Sequence, residues 1–236
     1  MAEQKLEERL EIEQLSDRAK ALHDKFYKNI KTEIPTLEKS RVFKVLKNWF
    51  GEELKAPGQV IFTPDLEPVW SIGLHPSVAN FDEEYKEYLY FKRNQEVKKG
   101  EVSTNDFFEW ILTHEYGHTF IDKSDVFSVF SRYGSFSFND EIESERDKIL
   151  RYKNAIREGF AYWFGDSFSG FKKFNPIRAL TYADKADPQL LVEMYKTYKQ
   201  LERKHGRKFV IENNEDIAIR YVDWRERNSA KPNSKN

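Results

Sequence analysis

The sequence predicts an α+β fold that is mostly helical. Two runs of β-branched and aromatic residues, at positions 60–63 and 69–72, are predicted as short strands because a proline-containing turn separates them. Apolar residues recur at helical spacing in residues 3–30, before these strands, and in several segments from residue 106 onward. We therefore expect a small sheet that precedes a long helical part.

The first 50 residues are predicted to form an N-terminal helical segment. Residues 3–30 are highly charged, but apolar side chains recur among them at spacings of three to five residues, which is typical of one long amphipathic helix. A second helix is expected at residues 40–50, where Gly51 would end it. The interpretation that we favour for the first helix is docking on the body of the protein. An inhibitory segment and a partner-binding helix are the alternatives.

Residues 51–228 are predicted to form a single domain, and residues 229–236 a disordered tail. Residues 85–91 are ambiguous, since their tyrosine and leucine spacing suits a helix and their aromatic density suits a strand. The elements expected after them are helices at 106–122, 124–134, 140–164 and 188–205, a strand at 208–211 and a last helix at 216–224.

The composition narrows the classes of function. A net charge of −1 argues against a nucleic-acid partner, which usually requires a basic surface. The chain has no cysteine, so disulfides and thiolate metal sites do not arise. No apolar run approaches the roughly 18 residues that span a bilayer, so no membrane partner is expected. The first five residues lack a signal-peptide pattern, so we expect a cytoplasmic location, and non-classical secretion stays open.

The clearest chemical signal is the motif H-E-x-x-H, formed by His114, Glu115 and His118. Asp106 and Glu109 predict a capping box that starts a helix leading into it. Residues four apart lie on one face of a helix, so both imidazoles can aim at one tetrahedral Zn²⁺. Glu115 lies one step round the helix, where it can act on a water as a general base.

A catalytic zinc site needs a third protein ligand. No later histidine is well placed, since His205 lies near the end of a charged helix, so a carboxylate is expected. The preferred candidate is Glu158, which lies in an apolar segment where a carboxylate is costly unless it is paired or bound to metal. Gly159 and Ala161 are small and would let this helix approach the motif helix.

Other acidic residues compete with Glu158 for this role. Glu141, Glu143 and Glu145 belong to an acidic run that is typical of a solvated helix start. Asp122 and Asp125 follow the motif closely and remain alternatives.

The motif H-E-Y-G-H followed by E-G-F-A resembles the gluzincins, the clan of thermolysin and the leukotriene-hydrolase-type aminopeptidases. The resemblance covers these two segments, and the 39 residues between His118 and Glu158 exceed the interval usual in those families. Minigluzincins and the titration-factor peptidases tolerate such variation. The resemblance implies a zincin-like core, with His114, His118 and Glu158 as zinc ligands and Glu115 as base and acid. It also implies a small sheet before the motif helix, whose edge strand pairs with extended substrate.

The resemblance further implies a donor that stabilises the tetrahedral oxyanion, usually a tyrosine or histidine after the third ligand. We prefer Tyr182, because it lies in an expected loop. The other candidates are Tyr195, Tyr198, His205 and Tyr221. Asp122 and Asp166 are candidates for orienting the two imidazoles, whereas His23 and His75 are expected to be structural or surface residues.

These observations lead to the hypothesis of a zinc peptidase that hydrolyses peptide bonds in a protein or peptide substrate. The lack of an evident acidic site for a free amino terminus favours an endopeptidase. Two alternatives belong to other classes of function. One is a non-catalytic zinc-binding regulatory protein on a peptidase-like scaffold, and the other is a helical interaction protein whose histidines are incidental.

Overall fold

The computed structural model describes residues 11–47, 52–54, 56–63, 69–93, 102–122, 141–169 and 188–229. Their helices and strands follow one another in the order β1 (Glu11–Gln14), α1 (Asp17–Glu33), β2 (Arg41–Lys47), β3 (Gly58–Thr63), β4 (Val69–Leu74), α2 (Pro76–Ala79), α3 (Glu83–Arg93), α4 (Thr104–Asp122), α5 (Glu141–Phe168), α6 (Pro188–His205), α7 (Arg207–Glu212) and α8 (Asn214–Ser229). The protein is thus mostly helical with one small sheet, and the predicted α+β class is confirmed.

The chain forms two compact units. The first contains residues Met1–Thr119 and Phe164–Thr181, and the second contains Phe120–Trp163 and Tyr182–Asn236. The sheet, α1 and most of α4 belong to the first unit, whereas most of α5 and all of α6, α7 and α8 belong to the second. Among the described helices, none combines the length and the apolar character needed to cross a membrane.

The sheet has four strands in the order β1-β2-β4-β3. Strands β2 and β4 are parallel, and the other two pairs are antiparallel. Gly73 lies in the central strand β4, where a methyl group would come within 2.5 Å of Val45 Cγ2 and 2.6 Å of Ile61 Cδ1. These two side chains belong to β2 and β3, so the glycine lets them close over β4. With Leu54 they form a buried apolar cluster.

The predicted helix at residues 3–30 is wrong at its start. Residues 11–14 form β1, which pairs with β2 so that Ile12 lies opposite Val45. Glu11 is ion-paired with Lys47 at 3.0 Å. Helix α1 begins only after Ser16, whose hydroxyl accepts a hydrogen bond from the amide of Ala19 at 3.3 Å. Residues 1–10 lie outside the described part of the chain.

The predicted helix at residues 40–50 is wrong, because residues 41–47 form β2. The β-branched Val42 and Val45 favour an extended backbone over a helix. The strand pairs with β1 along one edge and with β4 along the other. These neighbours supply hydrogen-bonding partners for its backbone amides and carbonyls. Residues 48–51 lie outside the described part of the chain.

Helices and strands further along follow the predictions with one exception. The expected strands are β3 and β4, the ambiguous segment 85–91 is helical within α3, and the helices expected at the motif, at 140–164, at 188–205 and at 216–224 are α4, α5, α6 and α8. The strand predicted at 208–211 is wrong, because these residues belong to α7. Hydrogen bonds within the helix satisfy the backbone amides and carbonyls of this short segment, so it needs no partner strand. Its side chains Val210 and Ile211 are buried. The short helix predicted at 124–134 lies outside the described residues, as do residues 230–236 of the predicted tail 229–236. Ser229 is the last residue of α8 and is helical.

Helix α1 is packed within the first unit, in agreement with the favoured interpretation that it docks on the body of the protein. Its buried residues are Ala19, His23, Phe26 and Ile30, which share one face. Near its start, Arg18 donates a 2.6 Å hydrogen bond to Asn105 Oδ1 at the beginning of α4. The position of α4, which carries the H-E-x-x-H motif, is therefore tied to α1.

Candidate metal centre

Helix α4 presents the motif from a buried position. Its first turn is capped by Ser103 and Asp106 rather than by the predicted pair Asp106 and Glu109. Ser103 Oγ accepts from the Asp106 amide at 3.1 Å and donates to Asp106 Oδ2 at 2.6 Å. The capping box is shifted because the helix begins earlier, at Thr104. From Ile111 to Thr119 every residue is buried, so the motif lies in a low-dielectric environment.

The two motif histidines converge, as their spacing predicts. His114 Nε2 and His118 Nε2 lie 3.2 Å apart. Their rings are nearly perpendicular, at 87°, with centroids 4.8 Å apart. Two nitrogens bound to a tetrahedral Zn²⁺ at its usual bond length are separated by about 3.3 Å. The observed separation therefore fits two ligands of a single ion.

Glu158 joins this pair. One nitrogen from each histidine and one carboxylate oxygen of Glu158 all lie within 4.8 Å of one another. Both histidines are buried and Glu158 is half-buried. Two imidazoles and a carboxylate form a donor set that suits Zn²⁺ and other divalent transition metals. This group can therefore hold a metal ion.

The competing acidic residues are only partly described. Asp122 ends α4, and Glu141, Glu143 and Glu145 lie in the first turns of α5, but their side chains are outside the described part of the structure. Asp125 and Tyr182 also lie outside it. Among the described residues, the group of His114, His118 and Glu158 is the one whose ligand atoms converge.

Glu115 is buried beside the first residue of β3. A methyl group on Gly58 would lie 2.8 Å from both Cγ and Oε1 of Glu115. Such a distance is shorter than carbon atoms tolerate, so only glycine leaves room for this carboxylate at the observed position. In the sequence Gly58 follows Pro57, and such a pair is typical of a turn. Its contact with Glu115 joins positions 57 residues apart in the chain.

His114 is held by an aromatic neighbour on its own helix. The indole of Trp110 stacks on the His114 imidazole with centroids 5.4 Å apart and an angle of 27°. Gly165 of α5 lies against both, since a methyl group there would be 3.2 Å from Trp110 Nε1 and 3.5 Å from His114 Cβ. The glycine that lets α5 approach the motif is therefore Gly165.

Gly159, which we expected in that role, faces α6 instead. A methyl group at this position would lie 2.9 Å from Met194 Cβ and 3.2 Å from the carbonyl oxygen of Leu191. The sequence alone did not distinguish the two glycines, because they lie on different faces of the same helix.

Tyr116, inside the motif, is fully buried, and its hydroxyl takes part in two hydrogen bonds. Its hydroxyl lies 2.6 Å from His23 Nε2 of α1 and 3.1 Å from the backbone nitrogen of Ser40. Burial, aided by the positive charge of Lys39 and opposed by Asp24, lowers the pKa of His23 from 6.5 to about 4. His23 is therefore neutral at neutral pH, and its structural role agrees with the sequence-based expectation.

The other candidates for stabilising an oxyanion, Tyr195, Tyr198, His205 and Tyr221, lie in the second unit. Tyr198 is fully buried against the rings of Phe160 and Trp163, at centroid distances of 5.4 and 5.8 Å. The hydroxyl of Tyr221 donates a 2.8 Å hydrogen bond to Glu193, and His205 is exposed against Phe209. Tyr198 and His205 are thus in packing contacts with aromatic rings, and Tyr221 is in a hydrogen bond.

No protein-family model matches this chain, and neither a curated protein nor a solved structure matches it.

Proposed function

We propose that this protein is a zinc-dependent peptidase of gluzincin type, with a zincin-like core built from α4, α5 and the sheet. The single observation that carries the proposal is the convergence of His114, His118 and Glu158, with Glu115 buried next to the first histidine. Some zinc peptidases bind the ion through two histidines of an H-E-x-x-H helix and one glutamate from elsewhere in the chain. The three converging residues have the same ligand types.

The three ligand residues would hold zinc, which supplies a Lewis acid and lowers the pKa of a water to about 7. Glu115 is not one of the converging residues, since it points about 100° away from His114 on the helix. Its carboxylate therefore remains available as a base. In the proposed reaction Glu115 takes a proton from the attacking water as the new C–O bond forms, and gives it to the leaving amine as the C–N bond breaks.

Strand β3 is the element that we propose for substrate binding. It is at one end of the strand order, with β4 as its neighbour among the described strands. It also begins at Gly58, against the Glu115 side chain. An extended peptide that added to this edge would run past the proposed base, which is the arrangement expected of an endopeptidase.

The experiment that tests this proposal separates the metal from the base. In Glu115→Gln the size and hydrogen-bonding reach of the side chain are kept, but the basic carboxylate is lost. We expect zinc content and melting temperature close to wild type, with hydrolysis of a peptide library reduced by about 10² to 10⁴. His114→Ala should lose metal and activity together. Glu109→Gln, on the same helix but outside the motif, serves as the matched control and should retain both.

Three other results would contradict the proposal, and each favours a different interpretation. Full activity in Glu115→Gln would exclude the proposed hydrolytic mechanism even with zinc present. Zinc in the wild type without turnover of any peptide would favour the non-catalytic zinc-binding protein. If the wild-type protein does not contain one chelatable zinc ion per chain, the remaining hypothesis is a helical interaction protein whose histidines are incidental.

A further inference from the structure

The hydroxyl of Tyr116 forms a small polar network on the motif helix. Tyr116 lies between the two motif histidines in sequence, is fully buried, and contacts His23 and Ser40, neither of which belongs to α4. The backbone amide of Ser40 can only donate, so the hydroxyl oxygen accepts that bond. The hydroxyl proton is free to be donated to His23 Nε2 in the tautomer that carries the imidazole proton on Nδ1.

The protonation states of both partners suit this arrangement. Burial lowers the pKa of His23 to about 4, with Lys39 adding to the effect and Asp24 opposing it. The imidazole is therefore neutral at neutral pH, and one of its two ring nitrogens is an acceptor. The Tyr116 hydroxyl supplies the O–H donor. The bond is therefore between two neutral groups in a buried setting, where loss of either partner leaves the other unsatisfied.

The network holds the side of α4 that faces away from the metal. Two steps along a helix rotate a side chain by 200°, so Tyr116 points about 160° away from both His114 and His118. A rotation of α4 that broke the hydrogen bonds of Tyr116 would swing both imidazoles away from their meeting point. Metal-binding side chains must be held within roughly 0.5 Å and 10–20° of their productive geometry.

Helix α1 contacts α4 at two levels. Arg18 reaches Asn105 in the first turn of α4, and the ring of Phe26 packs on that of Tyr116 with centroids 5.4 Å apart. Rotation and tilt of α4 are thus both constrained from α1. We propose that His23, Ser40 and Tyr116 are positioning residues through which α1 and the segment before β2 set the orientation of the metal-binding turn. This inference rests on the proposed metal centre and extends it to residues outside the motif.

The test removes the hydroxyl and measures the metal rather than the activity. In Tyr116→Phe we expect zinc affinity to fall about tenfold to a hundredfold, the usual loss when support of a metal ligand is removed. The visible absorption spectrum of the Co²⁺-substituted protein, which reports coordination geometry, should shift. The matched control is Tyr27→Phe. This change removes a hydroxyl on α1 that donates to the Leu37 carbonyl at 3.1 Å rather than to a residue of α4.

A pair of variants at His23 tests the same network from the other helix. His23→Gln keeps an acceptor where Nε2 lies and should preserve zinc affinity and the Co²⁺ spectrum. His23→Leu removes the acceptor and should reproduce the loss seen in Tyr116→Phe. This pair decides the question if Tyr116→Phe does not fold.

Two outcomes would overturn the inference, and they are distinguishable. If Tyr116→Phe and His23→Leu lower the melting temperature as Tyr27→Phe does but leave zinc affinity and the Co²⁺ spectrum unchanged, the network is structural only. If the wild-type protein binds neither zinc nor Co²⁺, the metal centre itself is wrong and the positioning role falls with it.

Discussion

Glu158 differs from the other acidic residues of α5 in its surroundings. Its neighbours Ile156 and Phe160 are fully buried, and the carboxylate is half-buried beside two imidazoles. We expect Glu158→Ala to reduce zinc occupancy at least tenfold, because a third ligand is lost. Metal analysis of the folded variant measures this.

Alanine at Glu141, Glu143 or Glu145 is the control for Glu158→Ala. These residues share the same helix, and their replacement should leave zinc content unchanged. If a folded Glu158→Ala protein keeps its metal, the role of third ligand passes to Asp122, Asp125 or another acid.

Gly58 limits where the proposed base can lie. In Gly58→Ala the new methyl group would overlap Glu115 at 2.8 Å, so the carboxylate must move. Small displacements of catalytic groups cost up to about a hundredfold in rate. We expect peptide hydrolysis to fall at least tenfold, with zinc content unchanged.

The control for Gly58→Ala is Gly206→Ala. Gly206 has a φ of 85° and open space around its Cα, so alanine there should cost about 1 kcal/mol of stability by backbone strain alone. Its activity should stay at the wild-type level. Equal activity losses in the two variants would assign the effect at Gly58 to general destabilisation.

At the scale of elements, α1 is the part of the fold whose removal is most informative. Deleting residues 1–30 exposes the surface that Ala19, Phe26 and Ile30 cover, and each large apolar side chain contributes about 1.5–3 kcal/mol when buried. We expect a clear loss of stability or solubility, measured by thermal unfolding and by the soluble fraction. Zinc affinity should fall as well, since His23 is removed.

A shorter deletion, of residues 1–10, keeps both β1 and α1 and is the matched control. Its stability should stay close to that of the full chain. Should the longer deletion instead raise activity with no loss of stability, α1 is an inhibitory segment and the docked interpretation is wrong.

At the scale of the whole molecule, His23 makes stability depend on pH. Its pKa is about 4 in the folded protein against 6.5 in the unfolded chain, so the unfolded state binds more protons between these values. The contribution is fully present above pH 6.5 and is lost as the pH falls toward 4. The difference corresponds to on the order of 3 kcal/mol. We expect denaturant unfolding, with a chelator present, to show this loss in the wild type.

The comparison variant for this pH dependence is His23→Gln, which keeps the bond to Tyr116 but does not titrate in this range. Its stability should fall less steeply between pH 6.5 and 4. Parallel curves for the two proteins would mean that other groups, such as the motif histidines, dominate the acid sensitivity.

Local sequence patterns determined much of the secondary structure and most of the candidate metal centre. The spacing of His114 and His118 places both on one helix face through helix geometry alone, and the structure brings their nitrogens together as predicted. Glu158 stands out in the sequence as a candidate ligand, because a carboxylate in an apolar segment is costly unless it has a partner. The strands at β3 and β4 and the helices α4, α5, α6 and α8 also carried their own signals of periodicity and capping.

Tertiary structure decided those features that depend on contacts between residues distant in sequence. The segments at β1 and β2 have helix-like apolar spacing. Each forms a strand because of its neighbours in the sheet, since β1 pairs with β2 and β2 pairs with both β1 and β4. Strand formation depends on such pairing far more than helix formation does. For the same reason no local pattern indicated that Gly58 meets Glu115 or that His23 binds Tyr116, 93 positions away. The residues proposed for the chemistry can be read from the sequence, whereas the contacts that position them are set by the tertiary structure.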